Sequence, residues 1–147
     1  MHREDVFMFY KRVLEYGFLW LIGGILYYSF EMIFRGFSHW SMFVLGGICM
    51  VFFAWQGRSE HFSKPLWMQV LRCTIFVTAC EFITGLIVNK WLNLAVWDYS
   101  DQPFHLFGQI CLPFAVIFSG LCAAGILLDG YLLHWIFKEE KPAFRVL

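Results

Sequence analysis

Apolar residues run along this chain in four long blocks, and none of them carries an alternating polar face. A water-facing helix buries one stripe and keeps polar residues on the rest, whereas these runs are apolar all round, as lipid requires. A hydrocarbon core of ~30 Å takes roughly 20 residues of helix. Segments that meet this length lie at about Tyr16 to Phe34, His39 to Trp55, Leu66 to Asn89 and Leu106 to Phe137. The last is long enough to tilt or to project, and Pro113 falls in its first turns, where a helix tolerates proline best. The expected fold is all-α: a polytopic membrane protein with a four-helix transmembrane bundle. Residues 1–147 form a single membrane domain, with an outer loop over residues 90–105.

Charge orients the bundle. Arg3, Lys11 and Arg12 precede the first span, Arg58 and Lys64 lie between the second and third, and Arg72 is just inside the third. Lys138, Lys141 and Arg145 follow the fourth, leaving Arg35 and Lys90 on the opposite side, two basic residues against nine. By the positive-inside rule both termini face the cytoplasm and the 90–105 loop faces outward. The stretch VFMFYKRVLEY, Val6 to Tyr16, is expected to lie along the inner interface as a short amphipathic lead-in. MHREDVFMFYKR mixes acids and bases, so no cleavable signal peptide is expected there.

Composition sharpens the class. The chain is 60% hydrophobic and 15% charged, where a soluble domain carries about a quarter charged residues. A net charge of zero argues against nucleic acid as a partner. Cys49, Cys73, Cys80, Cys111 and Cys122 fall in or beside apolar segments without a CxxC pair, as buried thiols do.

An ionisable group at the bilayer centre costs about 2.5 to 3.5 kcal/mol, so each one asks for a reason. Arg72 and His134 lie near the inner interface and can snorkel to it. Asp129 follows Gly125 by one turn and suits a hydrogen bond between helices. Glu31 and Arg35 stand at i and i+4 in the favourable order, on a stripe with Gly24 and Tyr27. Glu81 lies nine residues before Lys90, ~14 Å below that end of the helix. It shares a stripe with Thr74, Thr78, Gly85 and Asn89, so it needs a partner from another helix or must be protonated.

The outer stretch KWLNLAVWDYSDQPFHLFG, Lys90 to Gly108, suits an aromatic belt of Trp91, Trp97, Tyr99 and Phe104. Asp98 or Ser100 can cap a turn ahead of Pro103. Above the polar stripes it also concentrates Asp98, Asp101 and His105. The candidate binding set is therefore Glu31, Arg35, Glu81, Asn89, Trp97, Asp98, Tyr99, Asp101 and His105. They would line an anionic vestibule for a cation, a metal or a polar solute. No spacing matches a metal or nucleophile motif, so the metal question stays open and no cofactor is implied. An intramembrane enzyme using Glu81 with Cys111 or His105 would lack an activated nucleophile and its orienting base, so no enzyme is expected.

The segments RGFSHWSMFVLGG (Arg35 to Gly47), EFITGLIVN (Glu81 to Asn89), VWDYSDQPF (Val96 to Phe104) and GQICLP (Gly108 to Pro113) carry a resemblance. They are similar to the bacterial ABC-transporter permease type IV family, also called CmpB-like and related to the animal transmembrane protein 229 group. The likeness runs from the first span to EEKP at Glu139 to Pro142, and departs at His105, where the pattern has Asn. It implies a multi-pass protein of the bacterial inner membrane with a transport role. The chain has no GxxxxGK[ST] phosphate loop, so ATP-driven transport would need a separate ATPase subunit. Four spans are few for a complete permease, so a homo-oligomer or other membrane subunits are expected within the lipid bilayer. The alternative is a non-transporting scaffold or sensor that binds a lipid headgroup or a partner protein through the WDYSD loop.

Overall fold

Each apolar run forms a helix in the computed structural model, which describes residues 3–59 and 63–146. The helices are α1 (Arg3–Arg35), α2 (Trp40–Ser59), α3 (Leu66–Gly85) and α4 (Leu112–Phe137), and all four are long and apolar enough to cross a bilayer. The all-α, four-helix reading therefore holds among the described residues.

Three boundaries differ from expectation. The lead-in before Tyr16 is not a separate interfacial segment: α1 is one helix of 33 residues, ~50 Å at 1.5 Å per residue, so it outruns the hydrocarbon core. α2 continues past Trp55 to Ser59. The fourth helix begins at Leu112, six residues later than the apolar pattern suggests. Residues before it form a two-residue antiparallel pair, β1 (His105–Leu106) with β2 (Ile110–Cys111), placing His105 opposite Cys111. The chain reverses there because Phe107 and Gly108 both adopt positive φ, 52° and 69°. Pro113 sits in the first turn of α4, where its missing N–H costs nothing. α3 itself does not stop at Gly85 but widens into a π-helical turn, Leu86–Trp91, a form that often marks functional positions.

α2 is the central helix, with 61% of its spanning window buried against 22% for each of the others. Its pairing with α1 depends on two glycines. A Cβ on Gly23 would lie 2.5 Å from both the Gly46 carbonyl oxygen and Met50 Cβ, so only bare backbone lets the helices cross this closely. Leu19, Met42, Met50, Ala54, Cys73, Val77 and Cys122 fill the core behind that crossing. α1 and α4 instead stand apart across an apolar cavity of about 270 Å³, walled by residues such as Leu26, Phe53 and Leu121.

Both termini lie at the same end of the bundle: Lys11 Nζ donates to Glu139 Oε1 at 2.5 Å. Past the left-handed Lys138 that ends α4, the tail runs back over the bundle. It gives the Arg145 carbonyl to the Leu66 N–H at 2.6 Å and lays Pro142 and Phe144 against Gly130. The opposite end carries the long loop from Leu92 to Cys111.

Candidate functional site

At the loop end, Glu31 and Arg35 close the i, i+4 pair that their spacing implies, with Arg35 Nη1 donating to Glu31 Oε1 at 2.8 Å. Ser38, in the turn between α1 and α2, donates to the other carboxylate oxygen at 2.7 Å. The second guanidinium nitrogen of Arg35 reaches the Val96 carbonyl at 2.7 Å and so fastens the loop to α1.

Asn89, half-buried on the π turn, makes the second fastening. Its side-chain oxygen accepts from the Val96 N–H at 2.7 Å and the Trp97 N–H at 3.4 Å, and its amide donates to Gln109 Oε1 at 2.8 Å. Gln109 is fully buried, donates to the Phe107 carbonyl at 3.0 Å, and its own backbone oxygen accepts the Trp97 indole N–H at 3.0 Å. Gly85 leaves the space Gln109 occupies, since a Cβ there would lie 2.6 Å from Gln109 Oε1. Gln109 is the hub that sequence reasoning missed. The sequence set the GQIC stretch inside the fourth apolar run and did not mark Gln109 as the group that Asn89 and Trp97 share.

Tyr99 carries the third fastening. Its hydroxyl donates to Glu81 Oε1 at 3.1 Å, and its ring stacks on Phe114 of α4, centroids 4.6 Å apart. Burial, then the nearby Glu81 charge, push the Tyr99 phenol well above its ordinary range, so it remains an O–H donor. Glu81 itself is 3% exposed, and Tyr27 of α1 lies within electrostatic reach of both it and Glu31. The partner of Glu81 therefore comes from the loop, not from another helix as its place on α3 suggests. The loop folds back into the bundle, and no neighbouring helix supplies a hydrogen bond among the described residues.

The nine candidate residues thus separate into two groups. Glu31, Arg35, Glu81, Asn89, Trp97 and Tyr99 converge beneath the loop. Asp98, Asp101 and His105 are exposed on its outer side. Asp98 closes a turn by accepting from the Ser100 N–H at 2.9 Å and its hydroxyl at 2.6 Å, the bonds that hold its carboxyl below the usual carboxylate range. His105 Nδ1 accepts from the Gly108 N–H at 3.2 Å, which pins the tight turn ahead of β2. The aromatic belt divides in the same way. Trp91 and Phe104 are exposed, at 77% and 83%, while Trp97 is buried and anchors the loop from within.

No group of three or more His, Cys, Asp or Glu side chains is placed to hold a metal ion among the described residues. The inner group brings a buried carboxylate, a phenol and an ion pair together beneath the loop. No solved structure matches the chain. A family model described as "Putative ABC-transporter type IV" matches residues 6–144, from α1 to the folded-back tail, and the chain, a multi-pass membrane protein, belongs to that family.

Proposed function

We propose that this protein is a membrane-embedded transport component that binds a cation or a small cationic solute at Glu81, with the loop as its outer lid. One observation carries this reading. Glu81 is buried in a membrane-spanning helix, and its hydrogen bond comes from Tyr99, on the outer loop and not on a neighbouring helix. An ionisable group retained inside a spanning helix is a functional site by default, because insertion penalises it. A neutral phenol is a partner that a bound cation can displace, whereas the Arg35 partner of Glu31 already neutralises that carboxylate. The positive-inside pattern supports both termini in the cytoplasm, a bacterial inner-membrane location and a lid on the outer face. An energised cycle would need a separate ATPase subunit, and a complete path would need a second copy or another membrane subunit. Catalysis finds no support in the thiol beside the site, since burial pushes Cys111 up and leaves it unactivated.

Flux measurements on reconstituted vesicles test the proposal. Uptake of radiolabelled methylammonium should be lost in Glu81→Gln and kept in Asp98→Asn. Equal uptake by wild type and Glu81→Gln would overturn it.

The scaffold or sensor alternative has its own observation: Phe104, Phe107 and Leu94 are exposed beside Asp98, Asp101 and His105 on the loop's outer side. Aromatic groups beside charged ones suit a headgroup layer or a partner surface. It requires that replacing Asp98 and Asp101 abolish partner co-purification while Glu81→Gln changes nothing.

A further inference from the structure

At the end of the bundle that carries the termini, α1, α2, α4 and the tail bring charged side chains together, and α3 adds the polar Gln69 and Cys73. Glu15 of α1 is fully buried, and Arg58 of α2 bonds one of its carboxylate oxygens while Lys11 Nζ lies 3.6 Å from the other. Lys11 also holds Glu139 of the tail. Asp129 of α4, 4% exposed, lies within electrostatic reach of Arg58 and of Cys73 of α3. The Cys73 thiol donates to Gln56 Oε1 of α2 at 3.8 Å, and the Gln56 amide donates to the Gln69 backbone oxygen of α3 at 3.4 Å.

Two features show that the cluster is short of something. Among the described residues, Glu15, Asp129 and Glu139 set three negative charges against the two positive charges of Lys11 and Arg58. Independently, Glu15 Oε1, Arg58 Nη1, Gln69 Oε1 and Asp129 Oδ1 are all buried without a hydrogen-bond partner among the described residues. An orphaned buried polar atom costs about 1–3 kcal/mol, and an unpaired buried charge costs more. Buried water typically makes about three hydrogen bonds, a demand that these donors and acceptors on four helices meet. Asp129 has one cation within electrostatic reach, Arg58, and that guanidinium is already bonded to Glu15, so the buried Asp129 oxygen has no neutralising partner of its own among the described residues.

We infer that this cluster is a hydrated proton site, in which buried water bridges Glu15, Arg58, Gln69 and Asp129, and one exchangeable proton resides on Asp129. A hydronium ion hands its proton to the Asp129 carboxylate and leaves a water molecule behind; the reverse step restores both. The other titratable neighbours are Cys122 and His134 on α4, while Arg72 stands on the exposed side of α3. His134 donates from Nδ1 to the Glu139 carbonyl at 2.8 Å. The site stands apart from Glu81 and does not depend on the function proposed above.

Infrared spectra of the protein in lipid nanodiscs, in water and in deuterium oxide across a pH series, test the inference. A protonated carboxylic acid band is expected that titrates, moves on deuterium exchange, and shifts when the protein is made with isotope-labelled aspartate. The band should persist in His134→Gln and Glu81→Gln and vanish in Asp129→Asn. A band present at neutral pH that shifts with labelled aspartate decides the matter even where Asp129→Asn fails to fold, because Asp129 is buried while Asp5, Asp98 and Asp101 are exposed. Absence of such a band at every pH, a band that does not respond to labelled aspartate, or one indifferent to deuterium oxide would overturn the proposal.

Discussion

Replacing Asn89 with alanine should free the outer loop while the four helices stay packed. The substitution strands the N–H of buried Val96 and the side-chain oxygen of buried Gln109, whose bonds to Asn89 measure 2.7 and 2.8 Å. Each buried orphan costs about 1–3 kcal/mol, so the closed loop loses about 2–6 kcal/mol relative to the open one. At about 1.4 kcal/mol per decade this is a rise of at least about thirty-fold, and up to about ten-thousand-fold, in the open population. Local backbone preference gives the loop little reason to stay closed, because Asn93, Ala95, Phe104 and Phe107 all hold positive φ, which costs about 1–2 kcal/mol each for most L-residues. Hydrogen exchange in nanodiscs, read by mass spectrometry on residues 94–111 and on residues 16–34, measures the effect. Protection should fall in the first segment and hold in the second, and Asp98→Asn, an exposed change beside Ser100, should alter neither. Unchanged protection at Val96 and Trp97, or equal loss across the helices, would refute the claim that Asn89 fastens a separable lid.

Gly23, at the crossing of α1 and α2, and Gly120, on α4, give predictions of opposite sign. Gly23→Ala forces carbon and oxygen atoms from 2.5 Å toward an ordinary separation, an overpacking that costs about 1–3 kcal/mol. Gly120→Ala meets nothing within 4 Å and should be neutral or stabilising by about 0.5–1 kcal/mol; thermal unfolding in detergent compares the two. Tyr99→Phe should leave the stack on Phe114 intact and lower protection of the loop, since it removes the hydroxyl that holds Glu81; unchanged exchange at residues 97–101 would count against it. Burial alone would lift Glu139, but its hydrogen bond from Lys11 and the charges of Lys11 and Arg58 outweigh that and hold its carboxyl below the usual range. The tail's attachment to α1 is therefore fully present above the ordinary glutamate pKa and lost as pH falls through the lowered one. Proteolysis of the C-terminal tail should accelerate at acid pH, and Glu139→Gln should remove that dependence.

The helices were legible because lipid leaves a crude signature: an apolar run of sufficient length has little alternative to a helix. The Glu31–Arg35 pair and the Asp98 turn were legible for a related reason, since each is settled within five residues of chain. The start of α4 was misplaced because Leu106, Phe107, Ile110 and Cys111 are as apolar as the helix that follows, and hydropathy does not register the positive φ at Phe107 and Gly108. Tyr99 meeting Glu81 depends on the loop folding inward across 18 residues, and no local pattern encodes that. The charged cluster around Glu15 and Asp129 was illegible as a unit. Asp129 read as a hydrogen bond between helices, Arg58 as a charge between two spans and Glu15 as part of the lead-in, and only the bundle geometry gathers them into one place.

The central claim is that Glu81, beneath the loop, is a cation-binding carboxylate. Equilibrium binding of radiolabelled methylammonium to the protein in nanodiscs, compared between wild type and Glu81→Gln, tests it most directly. Saturable binding in the wild type, absent in Glu81→Gln and retained in Asp98→Asn, is the predicted result. Binding that is equal in wild type and Glu81→Gln would contradict it.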